Sequence, residues 1–272
     1  MPGLVQTGPL RKISQARYGV PVIPDGGARA SDLRAELAQR TDPDHAAALA
    51  RFFQTGPGQY GEGDVFLGVR VPVLRAVAKT YADLDLVECR DLLDDVEHEH
   101  RFLALTIMTQ AHRRALRPRT RDVERCAAIH DAYLDALRSG GVDNWDLVDA
   151  SAPWLLGEHL RVQVGSSRLL AELVTSEDLW IRRAGLLGTF AYTRAGDPAP
   201  ALAMVREVLA DDRPLIQKAS GWMLREVGLK VSVAVLLDFL DEHAGRMGRT
   251  ALSYATEKID PAERARLRAL PR

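Results

Sequence analysis

Apolar residues recur at intervals of three and four along almost the whole chain after residue 30, which is the period of amphipathic α-helices. One early segment shows this pattern together with its start signal. Asp42 stands at the N-cap position, Pro43 follows at the first helical position, and apolar residues come next at helical spacing: Ala46, Leu49, Ala50 and Phe53. No segment keeps the strict alternation of a half-buried β-strand. The pattern therefore predicts an all-α protein.

Similar segments follow one another with short turns between them. After helices that begin near Ser31, Asp42 and Val71, the spacing predicts helices near 86–96, 99–114, 120–138, 143–160, 165–174, 178–193, 198–210, 214–227, 231–241 and 248–258. Pro153 falls inside one of them and is expected to kink or split it, because proline has no amide hydrogen to donate. Paired helices that recur at this length predict a curved solenoid of HEAT-like antiparallel helical hairpins.

Two stretches lack the helical period. Residues 1–30 carry several prolines and the pair Gly26-Gly27, and we interpret them as a flexible or loosely docked N-terminal extension. Residues 31–272 then form a single domain. Between the second and third helices, the glycines and the proline of residues 54–64 exclude a regular helix and predict a long loop, either ordered or flexible.

The charge is balanced overall but unevenly placed. A formal net charge of −1 over 272 residues gives no global basic signature. Acidic residues concentrate near the middle, whereas cations become frequent in the later helices: Arg182, Arg183, Arg194, Arg206, Arg213, Lys218, Arg225, Lys230, Arg246 and Arg249. A basic groove on a solenoid attracts a polyanion even when the net charge is near zero.

Several functional classes find no support in the residues. No stretch approaches the ~18 apolar residues of a membrane span, and the N-terminus lacks the apolar segment of a secretory signal. Cys89 and Cys126 have no CxxC or Cys/His spacing and are interpreted as buried, reduced thiols of a cytosolic protein. His98 and His100 point to different sides of a helix, so we expect no metal site. Residues 56–63 lack the Lys-Ser/Thr of a phosphate-binding loop, so we expect no nucleotide cofactor.

Four residues of the second half suggest chemistry: Trp145, Asp149, Arg183 and Trp222. They recur at about 35–45 residues, the length of one two-helix repeat, and this spacing indicates one shared site. Each also has a purely structural interpretation. Trp145 and Trp222 suit a core, as we expect of Trp154 and Trp180, and Asp149 suits a helix cap or a solvated face.

Arg183 is the most telling of the four because it lies on or beside an apolar stripe, and arginine is rarely buried without a partner. Two partners fit equally well at this point. One is a structural ion pair with an acidic residue of a neighbouring repeat. The other is a phosphate of a ligand, which a guanidinium group grips with two hydrogen bonds.

A run of motifs carries a resemblance to a known family. The motifs are FFQTGPGQYGEGDVFLGVRVPVLR at 52–75, EHRFLAL at 99–105, NWDLVD at 144–149, LWIRRA at 179–184, IQKASGWMLRE at 216–226 and RMGRTALSYATEK at 246–258. With these motifs the chain resembles the AlkD family of DNA alkylation-repair glycosylases. The resemblance covers nearly everything after about residue 40, and the ordered series is far more specific than any single motif.

The resemblance implies a site and an activity. The family's catalytic set falls on Trp145, Asp149, Arg183 and Trp222. Arg225 falls on a position expected to contact the DNA backbone, and Arg183, Lys218 and Arg249 complete the expected DNA-binding cations. The implied reaction is excision of positively charged N3- and N7-alkylated purines, such as 3-methyladenine and 7-methylguanine, in base-excision repair. Neither a metal nor a nucleotide cofactor is implied, and the base need not be flipped.

The implied partner is double-stranded DNA with alkylated bases, bound by a monomer that is cytoplasmic and associated with the nucleoid. An alternative from another class is a non-catalytic HEAT-repeat module that binds damaged or branched DNA, or a protein partner. The carboxylate of Asp149 favours the enzyme, because a scaffold gains nothing from a negative charge that faces phosphates.

Overall fold

The structure is a computed structural model that describes residues 27–271. Helices account for most of this part of the chain, and it contains no β-strand; a single isolated bridge pairs Val65 with Glu97. The all-α prediction is confirmed. The predicted N-terminal extension falls almost entirely on residues 1–26, which lie outside the described residues.

The described helices match most of the predicted positions. They are α1 (Ala30–Ala38), α2 (Pro43–Phe52), α3 (Val71–Thr80), α4 (Leu86–Leu93), α5 (His98–Ala115), α6 (Val123–Ser139), α7 (Trp145–Ser151), α8 (Arg168–Val174), α9 (Leu179–Gly188), α10 (Phe190–Arg194), α11 (Ala199–Glu207), α12 (Pro214–Lys230), α13 (Val233–His243), α14 (Arg249–Ala255) and α15 (Pro261–Arg268). Short 3₁₀ turns occupy Pro118–Thr120 and Ala244–Arg246.

Aspartate caps begin several of these helices. Asp42 accepts the amide hydrogen of His45 at 3.0 Å, Asp122 accepts that of Arg125 at 2.9 Å, and Asp178 accepts that of Trp180 at 2.8 Å. Each cap satisfies an amide that has no partner within its helix, which is why these helices begin where the sequence predicts.

The expected irregularity at Pro153 is present. Regular α-helix ends at Ser151, and the chain continues in wider π-helical turns over Ala152–Glu158 and Leu160–Val164. The proline ring removes one donor and crowds the preceding turn, so a widened turn replaces the α-helix there.

Two other features depart from the predicted boundaries. The helix expected over 178–193 is divided at Thr189 into α9 and α10. Helix α15 was not predicted, because its sequence PAERARLR has no apolar stripe and buries only Leu267.

The helices stack in sequence order, as in a solenoid. Helices α5, α7, α9, α12 and α14 pack each against the next. Helix α5 and the α7 segment run parallel, because His98 contacts Asp146 near their starts and His112 contacts His159 further along. One continuous apolar core runs beneath these helices. Among the described residues, no helix is long and apolar enough to cross a membrane.

A glycine permits a close approach between helices α12 and α14. A Cβ atom on Gly221 would lie 2.4 Å from the carbonyl oxygen of Ala251, so no larger residue fits between α12 and α14. The next residue along the chain is Trp222, whose position therefore depends on this contact.

Candidate functional site

One concavity of about 600 Å³ gathers most of the candidate residues. The residues lining it are Phe52, Gln54, Tyr60, Trp145, Asp149, Arg183, Leu215, Lys218, Trp222, Arg225 and Tyr254. All four residues of the expected catalytic set are among them, although they come from three different helices. The repeat spacing in the sequence thus corresponds to a shared location in the fold.

Arg183 and Asp149 form an ion pair within this concavity. Arg183 donates two parallel hydrogen bonds, from Nε to Asp149 Oδ1 at 2.8 Å and from Nη2 to Asp149 Oδ2 at 2.9 Å. Its Nη1 donates to the carbonyl oxygen of Leu215 at 2.5 Å. The side chain of Arg183 is 5% exposed and that of Asp149 is 20% exposed. Of the two partners open to Arg183, the structure shows the acidic residue of the neighbouring repeat, and that residue is Asp149.

The electrostatics of Asp149 reflect its place beside the cavity. Burial raises the pKa of the Asp149 carboxyl, and the nearby charge of Asp146 raises it further, while Arg183 opposes both. The guanidinium group thus favours the ionised carboxylate at a location that water solvates poorly. The result is a fixed negative charge at the wall of the concavity.

Aromatic rings form much of the remaining wall. Trp145 stacks on Phe53 with ring centroids 5.1 Å apart, and it meets Phe52 edge-on at 5.9 Å. Trp222 donates its indole N–H to Glu226 at 3.1 Å, and its ring lies 6.3 Å from that of Phe190. Phe52 is 64% exposed, which is unusual for phenylalanine. Both tryptophans are thus held by contacts with neighbouring side chains, and both line the concavity.

A buried polar network holds the start of α7, which carries Trp145 and Asp149. His98 contacts Asp64 through Nδ1 at 3.1 Å and Asp146 through Nε2 at 2.8 Å. Burial disfavours the charged ring, but hydrogen bonds to both carboxylates outweigh it and raise the pKa of His98 to about 9. An imidazolium cation therefore joins α5, α7 and the loop before α3.

Further hydrogen bonds complete this network. Arg101 bridges Asp64 and Asp143 through its guanidinium group. Asn144 donates to Asp64 at 2.6 Å and accepts the amide hydrogen of Trp145 at 2.8 Å. Trp145 is therefore the first residue of a helix whose N-terminus is fixed on several sides. The sequence analysis considered His98 only as a metal ligand and did not join these residues into one network; the signal was the density of acids and cations in the EHR and DNWD segments.

The loop between α2 and α3 supplies the rim of the concavity, through Gln54 and Tyr60. Glu99 anchors its far end by accepting the backbone amide hydrogens of Leu67, Gly68 and Val69 at 2.9, 2.8 and 3.1 Å. The sequence left open whether this loop was ordered or flexible. Three charge-assisted hydrogen bonds to one buried carboxylate favour the ordered form.

The expected DNA-binding cations occupy different environments. Lys218 is exposed, and among the described residues no acidic side chain is paired with it. Arg225 pairs with Glu257 and lies 3.9 Å from Glu226. Arg249 does not line the main concavity; it lines a second one together with Leu252, Ser253 and Arg268.

Cysteines and histidines play no visible part in the concavity. Cys89 and Cys126 are buried free thiols, as expected. His98 and His100 have different partners, since His100 lies beside Asp95 at 2.9 Å. Asp95, Glu97 and His100 are close enough to share a cation, but both oxygens of Asp95 already accept hydrogen bonds from Arg34.

The architecture and the site together define the class: an all-α, solenoid-like protein whose stacked helices bring a carboxylate, a guanidinium group and two indoles to one concavity. Comparison with known families agrees. The chain belongs to the DNA alkylation repair enzyme family, whose model matches residues 33–259.

One similar solved structure is described as a "Predicted DNA alkylation repair enzyme from Enterococcus faecalis". The match covers 82% of this chain and 98% of that chain, with a TM-score of 0.63 and 17% sequence identity. At this identity the likeness shows a shared fold. A search of the curated proteins found no match.

Proposed function

We propose that this protein is a DNA glycosylase that removes positively charged N3- and N7-alkylated purines from double-stranded DNA in base-excision repair. The observation that carries the proposal is the Asp149–Arg183 pair, which fixes a carboxylate in an aromatic concavity bordered by cations. The reaction is hydrolysis of the N-glycosyl bond. We propose that the protein acts as a monomer in the cytoplasm, in association with the nucleoid.

The chemistry of an alkylated purine explains the choice of residues. Alkylation at N3 or N7 gives the base a positive charge, so the base leaves without being protonated. The sugar then develops positive charge as the bond breaks, and a fixed carboxylate stabilises that charge. Asp149 is the group we assign to this role, and it also accepts a hydrogen bond from the attacking water.

The aromatic wall recognises the same substrate by its charge. An electron-rich indole attracts a cation at its face, by about 0.5–2 kcal/mol depending on exposure. Trp145 and Trp222 present such faces to the concavity. We propose that they hold the cationic nucleotide beside Asp149 without flipping the base into a closed pocket, because the concavity is open to one side.

Arg183 acts in this proposal as a positioning residue. Its two parallel hydrogen bonds fix both oxygens of Asp149, and its charge favours the ionised carboxylate that the reaction needs. Three of its five N–H donors are bonded to Asp149 and Leu215, and its side chain is 5% exposed, so we assign the role of gripping a phosphate to other cations, with Lys218 as the exposed candidate in the concavity.

The direct test is incubation with a duplex that contains 7-methylguanine, followed by scoring of abasic sites. We expect strand cleavage at the lesion after mild alkaline treatment, beyond that of the same duplex incubated without protein, and none in a matched duplex with guanine. The Asp149→Asn variant should produce far fewer abasic sites. Equal release by the variant and the wild type would remove Asp149 from the reaction.

The non-catalytic alternative has one observation in its favour. Asp149 is fully paired with Arg183, and such a pair also serves as a structural link between α7 and α9. A module of this kind would bind damaged or branched duplexes and release no base. The same assay separates the two functions, because binding without abasic sites fits only the module.

A further inference from the structure

A second cluster of cations lies outside the site described above. Arg113 at the end of α5, Arg117 just beyond it and Arg194 at the end of α10 line a concavity of about 180 Å³ together with Trp154 and Glu158. Trp154 was expected in the core, but it is only half-buried and forms the floor of this concavity. We call these residues the Trp154 patch.

Two guanidinium groups share one indole in this patch. The Cζ atoms of Arg113 and Arg194 each lie 4.8 Å from the ring centroid of Trp154. The two Cζ atoms are therefore separated by at most twice 4.8 Å. The indole fixes both side chains, which otherwise would move freely at the surface, since both residues are exposed.

The three arginines of the patch, Arg113, Arg117 and Arg194, have no acidic partner among the described residues. The carboxylate of Glu158 lines the concavity, but it accepts hydrogen bonds from Arg161 at 2.9 and 3.4 Å. Three cations thus line one concavity whose single carboxylate is already bonded to Arg161, and their mutual repulsion is relieved when a negatively charged ligand binds.

Aromatic contacts connect the patch to the main concavity. Arg194 lies 5.9 Å from the ring of Phe190, and Phe190 lies 6.3 Å from Trp222, which lines the main site. A continuous series of side chains thus leads from Trp222 through Phe190 and Arg194 to Trp154. We take this series as the path along which a long ligand in the main concavity reaches the patch.

We propose that the Trp154 patch binds the phosphate backbone of the duplex at a distance from the lesion, with Arg113 and Arg194 as the contacting residues. This inference rests on the proposed function, which supplies a long polyanion to the neighbouring concavity. Arginine presents a planar fork that suits phosphate oxygens, and the indole orients it before binding. Contacts to phosphate oxygens do not depend on the base sequence, so the patch binds damaged and undamaged duplexes equally.

The test measures binding of an undamaged, fluorescein-labelled duplex by anisotropy at several salt concentrations between about 50 and 200 mM. The variant is R113A/R194A. The control R90A/R168A removes the same number of cations from exposed positions on α4 and α8 that line neither concavity. A third variant, R113K/R194K, keeps both positive charges but replaces the planar guanidinium groups with ammonium groups.

We expect R113A/R194A to bind on the order of tenfold more weakly than the wild type, with a plot of log affinity against log salt that is shallower by about 2. The control should stay close to the wild type. The R113K/R194K variant should show the wild-type dependence of affinity on salt but only part of the wild-type affinity.

Equal affinities for R113A/R194A and R90A/R168A would overturn the proposal, as would a wild-type protein that does not bind duplex DNA. An acidic protein segment as the true ligand would give the first of these results. Excision is measured separately, so a missing glycosylase activity with a weakened R113A/R194A would refute the proposed function and leave the patch standing.

Discussion

Asp149 and Arg183 have both a structural role and a proposed chemical role. Their paired hydrogen bonds link α7 to α9, and the carboxylate borders the main concavity. Breaking a buried ion pair leaves one charge without a partner, which is costly. A substitution at Asp149 is therefore expected to affect both stability and activity, and a useful experiment has to separate the two effects.

The change Asp149→Asn should lower the single-turnover rate of 7-methylguanine excision by ~10²–10³. The amide keeps the shape of the carboxylate but lacks the charge that stabilises the developing cation on the sugar. It should also lower the melting temperature, because Arg183 loses its ionic partner. Both quantities are measured on the same preparation, well below the melting temperature of the variant.

Asp211→Asn is the matched control. Asp211 is 4% exposed and pairs with Arg182 and Arg213 away from the concavity. This variant should lose stability in the same way and keep the wild-type excision rate. A similar fall in rate for both variants would mean that Asp149 acts through stability alone.

The pH dependence of excision offers a second test at the residue scale. Burial raises the pKa of Asp149, and the reaction needs its ionised form. The rate should therefore fall on acidification at a pH above the ordinary range for aspartate, and the residual rate of Asp149→Asn should not show this fall. Single-turnover rates over a range of acidic pH values provide the measurement. A wild-type profile parallel to that of the variant would contradict the assignment.

At the scale of elements, the feature that positions the site is the junction of α5, α7 and the loop before α3. His98 lies at the centre of this junction between Asp64 and Asp146, and Arg101 and Asn144 bind the same Asp64. The placement of the N-terminus of α7 therefore depends on α5 and the loop before α3 as well as on its own short sequence. Its first residue is Trp145, so the network also sets one aromatic wall of the concavity.

The charge on His98 predicts how stability changes with pH. Its pKa is about 9 in the folded protein, above its ordinary value of 6.5. A raised pKa gives stabilisation that is complete below the ordinary value and is lost as the pH rises through about 9. The free energy of unfolding should therefore decrease between these pH values.

His98→Gln is the variant that tests this origin. Glutamine keeps a donor and an acceptor but carries no charge, so its stability should be lower and should change less over the same pH range. Urea unfolding at neutral and alkaline pH gives the two profiles. Identical slopes for the wild type and His98→Gln would assign the pH dependence to other groups.

At the scale of the whole molecule, the uneven distribution of charge matters more than its sum. The formal net charge is −1, yet the concavity has Lys218 and Arg225 on its border. A duplex is expected to release counterions where it meets these cations, whatever the total charge of the protein. Ion pairing within the protein decides how strongly each cation contributes.

Affinity for an undamaged duplex should therefore fall steeply with salt, and Lys218→Ala should make the log–log slope shallower by about 1. Arg225→Ala should have a smaller effect, because Arg225 is already paired with Glu257. Anisotropy titrations at several salt concentrations measure both slopes. Salt-independent binding by the wild type would indicate that the ligand is not a polyanion.

The sequence by itself determined the helices and the candidate residues. Helix periodicity and caps such as Asp42 are local properties, since each involves residues a few positions apart, and they led to the all-α architecture. Repeat spacing brought Trp145, Asp149, Arg183 and Trp222 together as one set. Helix α15 was not predicted, because its sequence has no apolar stripe.

Only the tertiary structure decided what these residues contact. The sequence left Arg183 between a phosphate and an acidic residue, and the stacking of α9 on α7 supplied Asp149 as its partner. The same holds for the loop that Glu99 orders and for the two arginines above Trp154. These contacts join residues 30 or more positions apart, so they depend on how the helices stack, which local periodicity does not encode.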